Sequence, residues 1–319
     1  MANRGNKVAI VGAGQVGSTC AYTLLLSGLV SELVLIDLNE KRVRGEVLDL
    51  SHGTPLCPPA EIVAGQYPDC KDADIVILAA GVSQRPGETR MDLVRRNAKV
   101  FESIVPQVVR YAPEAILLVV TNPVDVLTYV TSRLSGLPAG RVIGSGTVLD
   151  TSRLRFLLSR HTQVDPRNIH TYVLGEHGDS ELPAWSLTSI AGMTMDEYCG
   201  LCNRCESRLS EVVRAQFDEQ VRNVAYEIIE AKGATYYAVA LAVRRICEAI
   251  LRDEQAILTV SSVLDGQYGL SGLALSLPVV LGRQGVREVL PIHLDAEEME
   301  KLNLSAAAIR TAVEQTGID

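Results

Sequence analysis

The chain has 319 residues, 47% hydrophobic but only 4% aromatic, and a net charge of −8. That length allows one large domain or two ordinary ones with aliphatic cores, the kind a parallel sheet of Val, Ile and Leu requires. An acidic chain without a basic block is a poor partner for nucleic acid or an anionic membrane, so neither is expected, and a bound anion would need local arginines.

The first residues run directly into a strand pattern, so no signal peptide is expected, and no apolar run is long enough to span a bilayer. Seven cysteines, an odd number in a large chain, speak against a disulfide framework and for a reducing cytoplasm. Cys199, Cys202 and Cys205 fall in "CGLCNRC". With no fourth cysteine and no suitably spaced histidine nearby, they are expected to be neighbouring thiols rather than metal ligands.

In chain order, "KVAIVGAG" (7–14) is a short strand ending in glycines, and "VGSTCAYTLLLSG" (16–28) a helix closed by glycine. "ELVLIDL" (32–38) is a second strand and "EKRVRGEVLDLSHG" (40–53) a second helix. "DADIVILAAG" (72–81), "AILLVVTNP" (115–123) and "RVIGSG" (141–146) are further strands, with a helix over 90–113. Strands alternating with helices predict an α/β fold with a Rossmann-type, doubly wound parallel sheet, binding its ligand at the carboxyl ends of the strands. The second half reads as an α+β substrate-binding domain. Its predicted helices lie at 149–161, 205–231, 233–252 and 295–315, and its strands at 169–174, 257–264 and 286–292. The expected domains are 1–146 and 147–319, with no linker between them.

"GAGQVG" places Gly12, Gly14 and Gly17 in G-x-G-x-x-G spacing around Gln15 and Val16, between a strand and a helix. The first glycine allows the tight turn, the second lets backbone approach a pyrophosphate, and the third lets helix and strand pack closely. Asp37 follows Gly17 by 20 residues, at the tip of the next strand. A carboxylate there accepts from both ribose hydroxyls of NAD and repels the 2′-phosphate of NADP. Lys41 and Arg42 would argue the other way, but they sit on the following helix. NAD is the expected cofactor.

His177 is one of five histidines and lies in "GEHGDSELP", a glycine-flanked loop. A lone histidine on such a loop is commonly a surface turn residue. Carbonyl reduction, however, needs a proton as well as a hydride, and an imidazole titrating near about 6.5 suits that role. Asp150 in "GTVLDTSRLRF" offers the carboxylate to orient the ring, and Arg153, three residues on, shares its helix face. The guanidinium fork suits bidentate binding of a carboxylate. "GVSQRPGETR" (81–90) joins a strand tip to a helix and reads as a lid carrying Gln84, Arg85 and Arg90 between Gly81 and the helix. Arg90 could swing in to polarise a carbonyl.

The order of "GAGQVG", Asp37, "AGVSQRPGETR", "TNPVD", "GSGTVLDTSRLRF", "GEHGDSELP" and "KGATYY" resembles the NAD-dependent L-lactate dehydrogenases of the lactate/malate dehydrogenase superfamily, over nearly the whole chain. The resemblance implies reversible reduction of pyruvate to lactate. It makes His177 the proton donor and acceptor, Asp150 its partner, Arg153 the carboxylate anchor and Arg90 the polarising lid residue. It places Asn122 beside substrate and nicotinamide, Thr235 in the substrate pocket and Val239 against the nicotinamide.

Related malate dehydrogenases have arginine where Gln84 stands, so Gln84 points to pyruvate, with malate the alternative substrate. A non-catalytic nucleotide-binding relative is the remote alternative, and would be expected to have lost one of these groups. The resemblance also implies a homotetramer, and, at Arg155 and His170, a site for the effector fructose 1,6-bisphosphate like that of activated bacterial relatives.

Overall fold

A computed structural model describes residues 5–82, 87, 89–202 and 209–318. The first half alternates strand and helix as the sequence predicts, with one strand and one helix beyond those predicted. It contains β1 (Lys7–Val11), α1 (Gln15–Ser27), β2 (Glu32–Ile36), α2 (Glu40–Gly53), β3 (Glu61–Ala64), β4 (Ile75–Leu78), α3 (Arg90–Tyr111), β5 (Ile116–Val119), α4 (Val124–Ser135) and β6 (Val142–Gly144). The strands run parallel in the order β6-β5-β4-β1-β2-β3, so the chain reverses direction across the sheet between β1 and β4. The inner strands β4 and β5 are buried throughout, as a sheet covered by helices on both faces requires.

Two of these elements carry weak sequence signals. β3 is a half-exposed edge strand of four residues with an apolar run of only three, Ile62 to Ala64. α4 is rich in β-branched residues, an unfavourable helix composition. Thr128 and Thr131 there donate their hydroxyls to the carbonyls of Val124 and Leu127, at 2.7 and 2.6 Å, so a buried helix keeps its polar side chains satisfied.

The second half contains α5 (Val148–Thr162), β7 (Ile169–His170), β8 (Val173–Leu174), β9 (Leu182–Pro183), β10 (Ser189–Ile190), β11 (Met193–Thr194), α6 (Met195–Leu201), α7 (Glu211–Lys232) and α8 (Tyr237–Leu251). It closes with β12 (Ala256–Leu258), β13 (Ser261–Asp265), β14 (Ser271–Ser276), β15 (Val279–Gly282), β16 (Gly285–Val289) and α9 (Ala296–Glu314). Several predicted elements differ: the strand expected over 286–292 ends at Val289, and the helix expected over 205–231 begins at Glu211. The strand expected over 169–174 is divided into β7 and β8, which join different sheets. The strand expected over 257–264 is likewise divided into β12 and β13. α8 starts at Tyr237 rather than 233, because Gly233, at φ 86°, turns left-handed and ends α7.

β13 pairs antiparallel with β6, and β14 with β13, so the second half extends the sheet of the first to eight strands. The residues after β6 and at the start of α5 are thereby fixed to the same frame as the glycine turn. Among the described residues no helix is long and apolar enough to cross a membrane.

Gly14 and Gly17 separate packing from ligand access. A Cβ on Gly17 would lie 1.8 Å from the Gly12 carbonyl oxygen, whereas one on Gly14 meets nothing within 4 Å. Gly17→Ala should therefore destabilise the fold by about 1–3 kcal/mol or more, since backbone must move. Gly14→Ala should shift it by no more than about 0.5 kcal/mol. Urea denaturation midpoints of the two variants check this, and equal midpoints would refute the packing role of Gly17.

Candidate active site

The glycine turn sits where β1 meets α1. Gly12 has φ +107°, donates its N–H to the Ile36 carbonyl at 2.7 Å, and approaches the backbone of Ala80 so closely that a Cβ would lie 2.4 Å from its nitrogen. Asp37 follows β2. One of its oxygens accepts from Ala13 N–H at 2.8 Å and the other from Asn39 N–H at 2.9 Å. The carboxylate is thus pinned against the turn while each oxygen keeps a lone pair free.

Gly14 caps α1 without a side chain, so no side chain satisfies the first N–H groups of Gln15, Val16 and Gly17. Uncapped donors, a helix dipole and the open space over Gly14 suit a pyrophosphate, with Asp37 placed for a ribose. The residues present fit NAD.

Gly81 and Asn122 follow β4 and β5. They are joined by Asn97 of α3, which is 1% exposed. Its amide oxygen accepts from Val82 N–H at 2.9 Å and its Nδ2 donates to the Asn122 carbonyl at 3.0 Å. Val239, in the first turn of α8, packs against the apolar cluster containing Leu24 and Leu25 of α1.

Asp150 and Arg153 occupy the start of α5. Asp150 is fully buried, and its two oxygens face two cations. Oδ1 accepts from Arg153 Nη1 at 2.7 Å, and Oδ2 lies 2.6 Å from His177 Nδ1. Burial would raise the Asp150 pKa, but His177 and then Arg153 hold it below the usual carboxylate range. Burial likewise opposes the imidazolium, yet the charge and then the hydrogen bond of Asp150 raise His177 to about 9. The His177 side chain keeps 21% of its surface exposed. With Nδ1 held by a carboxylate, Nε2 is the nitrogen free to exchange a proton with a ligand.

The loop that carries His177 is fixed on three sides. Gly175 exchanges two backbone hydrogen bonds with Ser276 at the end of β14, at 2.9 and 3.1 Å. Glu176 N–H donates to Ser305 Oγ of α9 at 2.7 Å. His177 N–H donates to Asp125 Oδ2 of α4 at 2.7 Å. Asp125 is buried, and desolvation pushes it up to about 6 although it accepts from His177 N–H and, at 3.4 Å, from the Ser276 hydroxyl.

Sequence reasoning missed Asp125, Asn97 and Glu181 as site residues. Asp125 carried one readable signal, an acid inside the apolar run "VDVL" of α4. Asn97 carried none, because a polar residue on an amphipathic helix reads as surface.

The structure brings His177, Asp150 and Arg153 together. Thr235 is half-buried on the link between α7 and α8. Gln84 and Arg85 lie outside the described residues, as does Cys205. Arg90 begins α3 behind a capping box formed by Thr89 and Asp92. Arg155 points away from Arg153, as the helical period requires, into a cavity of about 260 Å³ with Tyr172, Leu241 and Arg245. Its Nε is buried without a hydrogen-bond partner. His170 is exposed on β7. Cys199 is buried in α6 and Cys202 half-buried at its end.

Comparison with known proteins agrees with this geometry. Residues 6–144 match the family model for the lactate/malate dehydrogenase NAD binding domain, and residues 147–317 that for the lactate/malate dehydrogenase alpha/beta C-terminal domain. The chain is 57% identical to an L-lactate dehydrogenase of Acetivibrio thermocellus, over 98% of both chains. It is 54% identical to one of Thermoanaerobacterium saccharolyticum, over 98% of this chain and all of that one. The crystal structure of the minor L-lactate dehydrogenase of Enterococcus mundtii in a ligand-bound form superposes with a TM-score of 0.93 at 42% identity, covering 97% of this chain and 98% of that one. With both family models matched in tandem along nearly its whole length, the chain belongs to the lactate/malate dehydrogenase family.

Proposed function

We propose that this chain is an L-lactate dehydrogenase that reduces pyruvate to (S)-lactate reversibly with NADH, and that His177 is its proton donor and acceptor. The observation that carries the reading is the buried Asp150 carboxylate, bonded at once to an imidazole and a guanidinium in the same sheet framework as a nucleotide-binding glycine turn. The names of the full-length relatives support the substrate. The cofactor turn and the catalytic cluster divide at residues 146 and 147, where α5 takes over from β6.

Bound NADH supplies the hydride and its two electrons. The protein's residues do the rest. His177 donates its Nε2 proton to the oxygen of the reduced carbonyl, and Asp150 stabilises the imidazolium beforehand. Arg153 uses one guanidinium nitrogen on Asp150, leaving its other donors for the substrate carboxylate. Arg90 polarises the carbonyl, Gln84 meets the methyl group, and Asn122 and Thr235 complete the pocket. Gly12, Gly14, Gln15, Val16, Gly17, Asp37, Gly81 and Val239 hold the cofactor.

Reduction needs the imidazolium, and the raised pKa of His177 keeps the proton on the ring to higher pH. kcat/KM for pyruvate should therefore hold up through neutral pH and fall as pH rises through about 9. Lactate oxidation, which needs the neutral ring, should rise over the same interval. Asp150→Asn should move both limbs to lower pH by a unit or more and lower turnover. Rate profiles between pH 5 and 10 decide it, and unmoved limbs would remove Asp150 from its role.

Gln84→Arg should shift the ratio of kcat/KM values toward oxaloacetate, because a second substrate carboxylate gains a partner while pyruvate faces an unpaired charge. An unchanged ratio would show that another lid residue discriminates.

The assembly is a homotetramer, and Arg155 with His170 forms a site for fructose 1,6-bisphosphate between subunits. The buried, unpartnered Nε of Arg155 and the exposure of His170 support this reading. Without an anion the paired cations repel, and the bisphosphate favours the assembled, active state through differential binding. At pH 6 the bisphosphate should lower the pyruvate KM and raise the mass measured by light scattering. Arg155→Gln with His170→Gln should abolish both effects; a response equal to the parent's would place the effector elsewhere.

A further inference from the structure

Glu181 lies four residues after His177 and is 4% exposed, yet its Oε1 has no hydrogen-bond partner. A Glu181 carboxylate oxygen, an Asp150 carboxylate oxygen and a ring nitrogen of His177 all lie within 4.8 Å of one another. Two buried acids therefore flank one imidazole. They are not equivalent, because Arg153 is bonded to Asp150 while, among the described residues, no cation forms an ion pair with Glu181. The charged groups around Glu181 are Asp150 and Arg153 from α5, His177 from its own loop and Arg222 from α7. Beyond His177 stand Asp125 of α4 and Glu176.

An ionised Glu181 would be a buried charge without a hydrogen-bonded counterion, beside a second carboxylate. Both conditions favour the neutral acid. Substrate binding adds a further constraint. Arg153, imidazolium His177 and Asp150 together leave one positive charge at the back of the pocket, where the substrate carboxylate binds, and the proposed lid residue Arg90 adds a second at the carbonyl. Ionising Glu181 would cancel the charge nearest the carboxylate in advance and weaken its binding.

We propose that Glu181 is a positioning residue of this site, kept as a neutral carboxylic acid behind His177 so that the pocket retains its positive charge for the substrate carboxylate. The inference rests on the dehydrogenase reading for what the pocket receives, but the protonation of Glu181 stands on its surroundings alone. Desolvation, then the Asp150 charge, raises Glu181 to about 9 against the opposing pull of His177, Arg153 and Arg222. Its proton is therefore lost only in alkali, where a negative charge appears beside the substrate.

Infrared spectroscopy of the NADH complex reads this directly. The parent enzyme should show the carbonyl stretch of a protonated carboxylic acid at pH 8, well above the value of about 6 for Asp125. That band should fade as pH rises past about 9 and be missing in Glu181→Gln. In steady-state assays the pyruvate KM of the parent should climb several-fold more steeply above that pH than the KM of Glu181→Gln, which cannot ionise.

A spectrum of the parent without an acid band at pH 8 would overturn the proposal, and so would KM values rising in parallel. Should Glu181→Gln not fold, the pH at which the parent's own band disappears still decides, because Asp125 titrates well below it. A failure to turn over pyruvate would defeat the dehydrogenase reading instead, leaving the acid band to be judged by the spectrum.

Discussion

A fully buried carboxylate has to find positive charge or give up its own. Asp150 finds two partners, and much of the site follows from that requirement. Arg153 is placed by the helical period, three residues along α5, so its bond to Asp150 is local. His177 comes from a distant loop, so its bond costs chain entropy that something else must offset. The anchors are the Ser276 backbone, the Ser305 hydroxyl and the Asp125 carboxylate, each from a different element. A histidine held that way keeps its ring on Asp150 without help from substrate, which is the preorganisation that proton transfer needs.

The cofactor side is organised by backbone rather than charge. Gly12 crosses the tips of two neighbouring strands at a separation no side chain would allow, and Gly17 brings α1 down onto the same turn. Asp37 then fixes the turn by accepting from Ala13 and Asn39. Asn97 does for the tips of β4 and β5 what Asp37 does for those of β1 and β2, with one amide bonded to both loops. These strand tips and the start of α5 share one sheet because β13 closes against β6. The glycine turn and the Asp150–Arg153 start of α5 are therefore parts of a single framework although they come from opposite halves of the chain.

The sequence made the local features legible. Glycines at fixed spacing after a strand, an acid at the next strand tip, and Asp150 and Arg153 one helical turn apart each follow from short-range geometry. Features that depend on distant partners were not legible. β3 is a strand because β2 lies beside it, and α4 is a helix because burial overrides its β-branched composition. The runs 169–174 and 257–264 look continuous in sequence, and only the competing sheets reveal where each is cut. Asn97 and Asp125 are ordinary polar letters until the loops they hold arrive from far along the chain.

Asp125 and Asp150 show how far identical chemistry diverges by partner. Both are fully buried, and each accepts a hydrogen bond from His177. Asp150 meets the ring and a guanidinium, whole charges, and stays ionised below the ordinary range. Asp125 meets the His177 backbone N–H and the Ser276 hydroxyl, and burial dominates, lifting it to about 6. Dipoles can orient a carboxyl group but stabilise its charge less than a cation does. The division suits the two tasks. In the proposed mechanism the residue that must remain negative while a proton comes and goes is given cations, while the residue that only needs to hold a loop is given hydrogen bonds, which a protonated carboxyl can still accept through its carbonyl oxygen.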